Sequence, residues 1–206
     1  TYNGLSQMLS EDGPRTDVSD LTTYTYYSCS FGNQCGQIET MTNALSQLTS
    51  YNSYNAHGQP THITDSNNVV STLGYDLRQR LTDRCVNGVL PTCTGGELTH
   101  LEYRPTGLLE KVTNPDGSYL QYGYDAAHRL TTLEDGLGNR IVYTLDAMSN
   151  LTGESVYDPS QVLTRTRSQV FNTLNQLWKQ IGAAGTVVPG DTAANVAGAQ
   201  SGVRPA

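Results

Sequence analysis

Two phenylalanines and one tryptophan are the only large aromatics besides tyrosine in these 206 residues, and charged side chains make up just 15%. So few bulky apolar groups exclude a thick central core. A 36% hydrophobic content and a mean hydropathy of -0.43 equally exclude a highly charged, disordered tail. A thin, two-sided sheet fits the balance. No apolar run approaches the roughly 20 residues that a membrane-spanning helix needs. Lys and Arg number 12 against 19 Asp and Glu, giving a net charge of -7 and a pI near 4.9, and Arg165 and Arg167 are the closest thing to a basic patch. That distribution disfavours nucleic acid and anionic membranes, which need clustered cations. The chain opens on Thr1-Tyr2-Asn3 without Met, basic stretch or signal-like core, so it is expected to begin inside a longer polypeptide.

Catalytic signatures are also missing. There is no GxSxG elbow, P-loop, HExxH or helix-opening GxGxxG, so no catalytic residue is assigned. Glu134 and Asp135 are the weak candidates if the chain is a hydrolase working through paired carboxylates. The recurring Asp76, Asp125 and Asp146 read instead as residues that bond turn backbone. His57, His62, His100 and His128 read as repeat residues facing solvent. Asp135-Gly136-Leu137-Gly138-Asn139 resembles a calcium loop but lacks the alternating ligands and terminal Glu of one. Neither a metal nor a cofactor is expected.

What the sequence does have is repetition. Tyr124-Asp125-Ala126-Ala127-His128-Arg129-Leu130-Thr131 leads to Gly138-Asn139 and then to Tyr143-Thr144-Leu145-Asp146, where the next copy begins. Units start at Tyr2, Tyr26, Tyr54, Tyr75, Tyr103, Tyr124, Leu145 and Phe171, in steps of 24, 28, 21, 28, 21, 21 and 26 residues. A base step of 21 with insertions fits them all, and such a unit cannot bury a core alone. About 21 residues accommodate two strands and two turns, so each unit is expected to be a β-hairpin. Period-two alternation supports this in Leu120/Tyr122/Tyr124, Ile141/Tyr143/Leu145 and Thr22/Tyr24/Tyr26. Turn chemistry falls at Asn114-Pro115-Asp116-Gly117, at Asp65-Ser66-Asn67-Asn68 and at Asp135 to Asn139.

The expected fold is therefore all-β, with tandem antiparallel hairpins forming a curved, elongated sheet strip over residues 1–184. An Ala/Gly/Val-rich tail that drops the repeat follows at 185–206. The 13 tyrosines would form a ladder along the strip. Its plain reading is packing between hairpins; its sharper reading is a ligand platform at Tyr119, Tyr122 and Tyr143.

The recurring order of aromatic, acidic or amide residue, apolar-Thr pair and Gly-containing turn resembles the Rhs/YD-repeat family over roughly residues 1–184. That family includes bacterial Rhs toxins, insecticidal toxin-complex shells and teneurins. The resemblance implies a structural segment of an exported protein, part of a β-shell that encapsulates or presents a toxin or effector domain. The implied partners are the rest of the parent polypeptide or its cargo. Two rival readings are an extracellular carbohydrate- or receptor-binding module on the tyrosine faces and the hydrolase named above. Nothing matches the family's self-cleaving core segment. Unpaired strand edges also predict self-association.

All four cysteines lie in the two 28-residue units, Cys29 and Cys35 in one and Cys85 and Cys93 in the other. Locality favours bridges Cys29-Cys35 and Cys85-Cys93 over free thiols, and the absence of CxxC spacing disfavours zinc. Bridges would place the chain in an oxidising space: secreted, cell surface or periplasm.

Overall fold

The computed structural model describes residues 1–29 and 32–184, so the tail expected at 185–206 lies outside the described residues. The described residues form fifteen strands and no helix: β1 (Ser10–Glu11), β2 (Thr22–Tyr26), β3 (Ile38–Thr42), β4 (Leu48–Tyr54), β5 (Pro60–Thr64), β6 (Val70–Tyr75), β7 (Leu81–Val86), β8 (Glu97–Tyr103), β9 (Leu109–Thr113), β10 (Tyr119–Tyr124), β11 (Leu130–Asp135), β12 (Arg140–Leu145), β13 (Leu151–Tyr157), β14 (Leu163–Phe171) and β15 (Leu177–Ala184). Their order in the sheet is their order in the chain, and every registered pair is antiparallel. This is the all-β hairpin array that the repeat predicts. The chain divides into two compact units, Thr1–Leu101 and Glu102–Ala206.

The lead aromatic sits at the end of a strand, not at its start. Tyr26, Tyr54, Tyr75, Tyr124, Leu145 and Phe171 each close an even-numbered strand just before a turn. Across the turn they pair with Ile38, Pro60, Leu81, Leu130, Leu151 and Leu177, and each of these pairs is followed by a register shift. The extra residue in the bulge is Thr61, Thr82, Thr131 and Thr152 in four of them, Glu39 and Trp178 in the others. This explains the apolar-Thr pair of the repeat: the apolar side chain faces the lead aromatic, and the next residue is the one that a β-bulge leaves unpaired. The threonine hydroxyl turns back on the opposite strand, as Thr131 does on the Gly123 carbonyl at 3.3 Å and Thr152 on that of Thr144 at 3.1 Å.

One unit escaped the sequence reading. Tyr157 pairs with Leu163 across a turn at Asp158, with a bulge at Thr164 whose hydroxyl bonds the Val156 carbonyl at 3.0 Å. This hairpin joins β13 to β14, so its tyrosine closes an odd-numbered strand. Its turn belongs to the same odd-to-even series as those at 43, 65, 114 and 135, and the step from Leu145 to Phe171 is long because β13 and β14 run 7 and 9 residues where β11 and β12 run 6 each.

Tyrosine hydroxyls stitch the hairpins together. Tyr26 donates to the Met8 carbonyl at 2.7 Å, Tyr54 to Ile38 at 2.6 Å, Tyr75 to Pro60 at 2.8 Å and Tyr124 to Leu109 at 2.8 Å. The acceptor follows a rule: Met8, Ile38 and Pro60 are the residues that pair with the preceding leads Tyr2, Tyr26 and Tyr54. Each lead thus fixes the mouth of the hairpin behind it. Burial pushes the Tyr54 phenol up to about 12, and raises those of Tyr75 and Tyr124 in the same direction. Leu145 and Phe171 have no hydroxyl to give.

Very little is buried. Among the described residues the buried apolar side chains are Cys85 at 0% exposure, Cys93 at 5% and Ile181 at 8%. Both expected disulfides are present, Cys29–Cys35 with Cα atoms 4.3 Å apart and Cys85–Cys93 with Cα atoms 5.6 Å apart. The loop 87–96 folds back over the sheet and makes the buried cluster: Thr72 beneath it donates to the Gly88 carbonyl at 3.0 Å. No side chain fits at Gly96, where a methyl would stand 2.5 Å from the Val86 carbonyl oxygen and 2.6 Å from the Gly88 nitrogen.

The ladder makes an opposed pair of predictions. Tyr54→Phe should lower stability to urea by about 1 kcal/mol, the net worth of a part-buried hydrogen bond. Phe171→Tyr, which supplies a hydroxyl toward Leu151, should raise it. Equal midpoints for both variants and the parent chain would show the hydroxyls to be idle.

Candidate functional site

The densest polar organisation lies in the turns. Among the described residues, twelve turns share one geometry, starting at residues 3, 43, 55, 65, 76, 104, 114, 125, 135, 146, 158 and 172. In each, the first residue's N–H donates to the carbonyl of the fifth, and the fourth residue's N–H donates to the carbonyl of the first. The fourth residue has a positive φ in all twelve, filled by glycine at 58, 107, 117 and 138 and by Ser, Asn, Gln or His elsewhere. This is the three-residue hairpin loop in which a tight turn is followed by one left-handed residue.

The first residue's side chain holds the loop. Oδ1 of Asn3, Asn43, Asn55, Asp65, Asp76, Asp125, Asp135, Asp146 and Asn172 accepts two N–H groups, from the third and fifth turn residues. In all of these but Asp65, whose fifth residue is Val69, the second polar atom matches the fifth side chain in charge and hydrogen-bonding sense. Aspartate Oδ2 takes a donor: Arg80 on Asp76, Arg129 on Asp125, Asn139 on Asp135 and Asn150 on Asp146, at 2.7 to 2.8 Å. Asparagine Nδ2 gives to an acceptor: Asn3 to Gln7, Asn43 to Gln47, Asn55 to Gln59 and Asn172 to Gln176, at 2.7 to 3.1 Å. The sequence reading missed this pairing, although the co-variation of first and fifth residues between copies is visible in the sequence itself.

These bonds settle what the acidic residues do. Asp135 spends Oδ1 on Leu137 and Asn139 and Oδ2 on the Asn139 amide, and that amide is the main reason its carboxyl lies below the ordinary 3.8. Glu134 is exposed and, as its neighbour on β11, projects from the opposite face. The two candidates do not converge. Asp76 and Asp125 are lowered chiefly by the backbone N–H of Arg80 and Arg129, and Asp146 by the Asn150 side chain.

The proposed tyrosine platform is divided in the same way. Tyr122 and Tyr143 share a face, joined through the register Tyr122–Leu133–Ile141, and so do the two alternating sets built on them. Tyr119 lies three residues before Tyr122 on the same strand and takes the other face. Its ring carries Lys111 Nζ 4.4 Å from the centroid and abuts Gly136, where a Cβ would meet it at 3.0 Å. A cleft of about 600 Å³ beside it, between the turns at 114 and 135, is lined by Asp116, Leu120, Asp135 and Leu137 as well.

The histidines are dispersed. His57 and His128 are exposed turn residues. His62 Nδ1 lies 2.8 Å from Ser53 Oγ, and His100 Nδ1 lies 2.7 Å from Asp83 Oδ1, whose other oxygen accepts from Thr82. No group of His, Cys, Asp and Glu among the described residues could hold a metal ion. Asn150, which heads the glycosylation sequon Asn150-Leu151-Thr152, has its amide engaged by Asp146 and Asn175.

Tyrosine-led hairpins repeated along one sheet define a β-hairpin repeat protein. Residues 54–88 and 103–140 match the family model for the RHS Repeat. A comparison with curated proteins finds no match. Among solved structures, the crystal structure of TcdB2-TccC3-Cdc42 superposes with a TM-score of 0.52 at 17% identity, covering 77% of this chain and 10% of that one. That of TcdB2-TccC3 superposes with a TM-score of 0.51 at 13% identity, covering 83% of this chain and 11% of that one. The likeness is one of fold, and the chain spans about a tenth of the length of those it matches.

Two outcomes follow from the turns and bridges. A carboxyl lowered in the folded state stabilises that state above its ordinary pKa and ceases to as acid protonates it, so thermal stability should hold down to about pH 4 and fall below it. Asp125→Asn alone should destabilise by setting an amide donor against Arg129, and adding Arg129→Gln should restore stability while flattening the acid loss; circular-dichroism melts from pH 2.5 to 7 read both. Graded reduction followed by alkylation and mass spectrometry should open Cys29–Cys35, whose cysteines are exposed, well before the buried Cys85–Cys93.

Proposed function

We propose that this chain is a wall segment of an exported RHS-type protein, whose sheet encloses or presents a toxin or effector domain. The observation that carries this reading is a sheet stitched hairpin to hairpin by tyrosine hydroxyls, with its acidic and amide side chains spent on turns rather than gathered into a reactive site. Such an array supplies surface and reach, which suits a container. The disulfides fit assembly in an oxidising space outside the cytoplasm. The fold likeness to TcdB2-TccC3 supports the same assignment, with the rest of the parent polypeptide or its cargo as partner. Residues 1–184 form the array in this reading and 185–206 a non-repeat extension.

Protease protection tests it. In the full-length parent, a domain enclosed by the wall should survive a protease concentration that digests the same domain expressed alone, and should lose that protection when the bridges and turns are opened by reductant and acid. Equal digestion with and without the repeats would overturn the proposal.

A further inference from the structure

The turns starting at 43, 65, 114, 135 and 158 all join an odd-numbered strand to an even-numbered one, and the spaces between neighbouring members of this series differ. Those at 135 and 158 touch: Gln161 donates its amide to the Gly138 carbonyl at 3.2 Å, and a Cβ at Gly138 would stand 3.6 Å from Pro159. Between those at 43 and 65 lies a cleft of about 360 Å³ walled by Ser46, Ser50, Ser66 and Asn67. Between those at 114 and 135 the cleft reaches about 600 Å³, and its wall is Tyr119, Leu120, Leu137, Gly117 and Gly136. The repeat imposes the turns but not this apolar lining, since the third turn residue is Leu137 here and Asn67 in the turn at 65. Leu137 is 78% exposed. The wall is also formed in advance: the Gly136 N–H donates to the Tyr119 carbonyl at 3.1 Å, which fastens the second turn to the strand that follows the first. A site that is ordered beforehand binds at lower entropic cost.

Charge selects the occupant. Asp116 and Asp135 line the cleft and no lysine or arginine does. Elsewhere turn carboxylates are neutralised in place, Asp76 by Arg80 at 2.6 Å and Asp125 by Arg129 at 2.7 Å. Asp116 and Asp135 form no ion pair among the described residues. Asp116 accepts the Ser118 N–H at 2.9 Å, and Asp135 is held by the neutral donors of Leu137 and Asn139. Lys111, whose Nζ stands 4.4 Å from the Tyr119 ring centroid, is itself matched by Glu102 at 3.9 Å. Two uncompensated carboxylates beside an apolar wall suit a group that is apolar along its length and cationic at its tip. Arginine has that form: its stem packs on apolar surface, and its planar guanidinium bonds carboxylates and lies against aromatic rings. We propose that this cleft docks an arginine of another polypeptide, with its stem against Leu120 and Leu137, its guanidinium toward Asp116, and an apolar neighbour in the remaining space. The site does not depend on the wall reading.

A nuclear magnetic resonance titration of the full chain with the capped tripeptide acetyl-Leu-Arg-Leu-amide tests this. The expected result is saturable shifts confined to the amides of residues 114–120 and 135–137. The same peptide with neutral citrulline in place of arginine should bind about fivefold more weakly, and Asp116→Asn, which keeps the Oδ1 acceptor for Ser118, should weaken the arginine peptide by a similar factor. Unchanged urea unfolding of the variant confirms that it is folded. Absent shifts, shifts spread along the whole chain, equal binding of the citrulline peptide or an unchanged affinity in Asp116→Asn would each overturn the proposal. Methylguanidinium that moves the same amides at the same concentration as the peptide would assign the cleft to small cations and would equally overturn it.

Discussion

The constraint on which this molecule depends is that a one-layer sheet has no interior in which to hide its costs. A globular domain offsets chain ordering by removing apolar surface from water, but here three apolar side chains among the described residues are buried, two of them half-cystines. Each hairpin must then be stable by contact with its neighbours alone. That requirement accounts for the recurring side chains: an aromatic to cover the hairpin mouth, a phenol to tie it to the previous one, and an Asp or Asn to hold the reversal that follows.

The turn also explains why the repeat tolerates change in some places and not in others. The fourth turn position needs a left-handed backbone, and residues other than glycine fill it eight times because the first residue's side chain holds the loop around them. In eight of the twelve turns the first and fifth residues change together, Asp with Arg or Asn and Asn with Gln, because a carboxylate cannot donate and two amide donors cannot bond each other. The two enlarged loops stand where this device gives way to bridges: neither 27–37 nor 87–96 is a five-residue turn, and each has its own disulfide.

Much of this was legible in the chain. Hairpins, turn sites and both cysteine pairs follow from counting residues, because period-two alternation and Gly/Asn turn signals are local. Three things were not legible. The lead aromatic closes a strand instead of opening one, since a repeat fixes spacing and not phase. Tyr157-Asp158 was passed over because it stands at the second turn of its unit, where the other copies have Thr42, Thr64, Thr113 and Glu134 instead of a tyrosine. Tyr119 was grouped with Tyr122 and Tyr143 by residue type, whereas an odd separation along β10 sends it to the other face. Glu134 and Asp135 show the same geometry: adjacent residues on a strand look close in sequence and point apart in space.

The most direct test of a fold held by neighbour-to-neighbour stitching is native-state hydrogen exchange resolved by residue. The account predicts graded protection, highest where tyrosine hydroxyls bridge successive hairpins and lowest at the hairpins closed by Leu145 and Phe171, which carry no hydroxyl. A single protection value shared by every strand amide, equal to one global unfolding free energy, would contradict it and would mean that the sheet is held by a cooperative core after all.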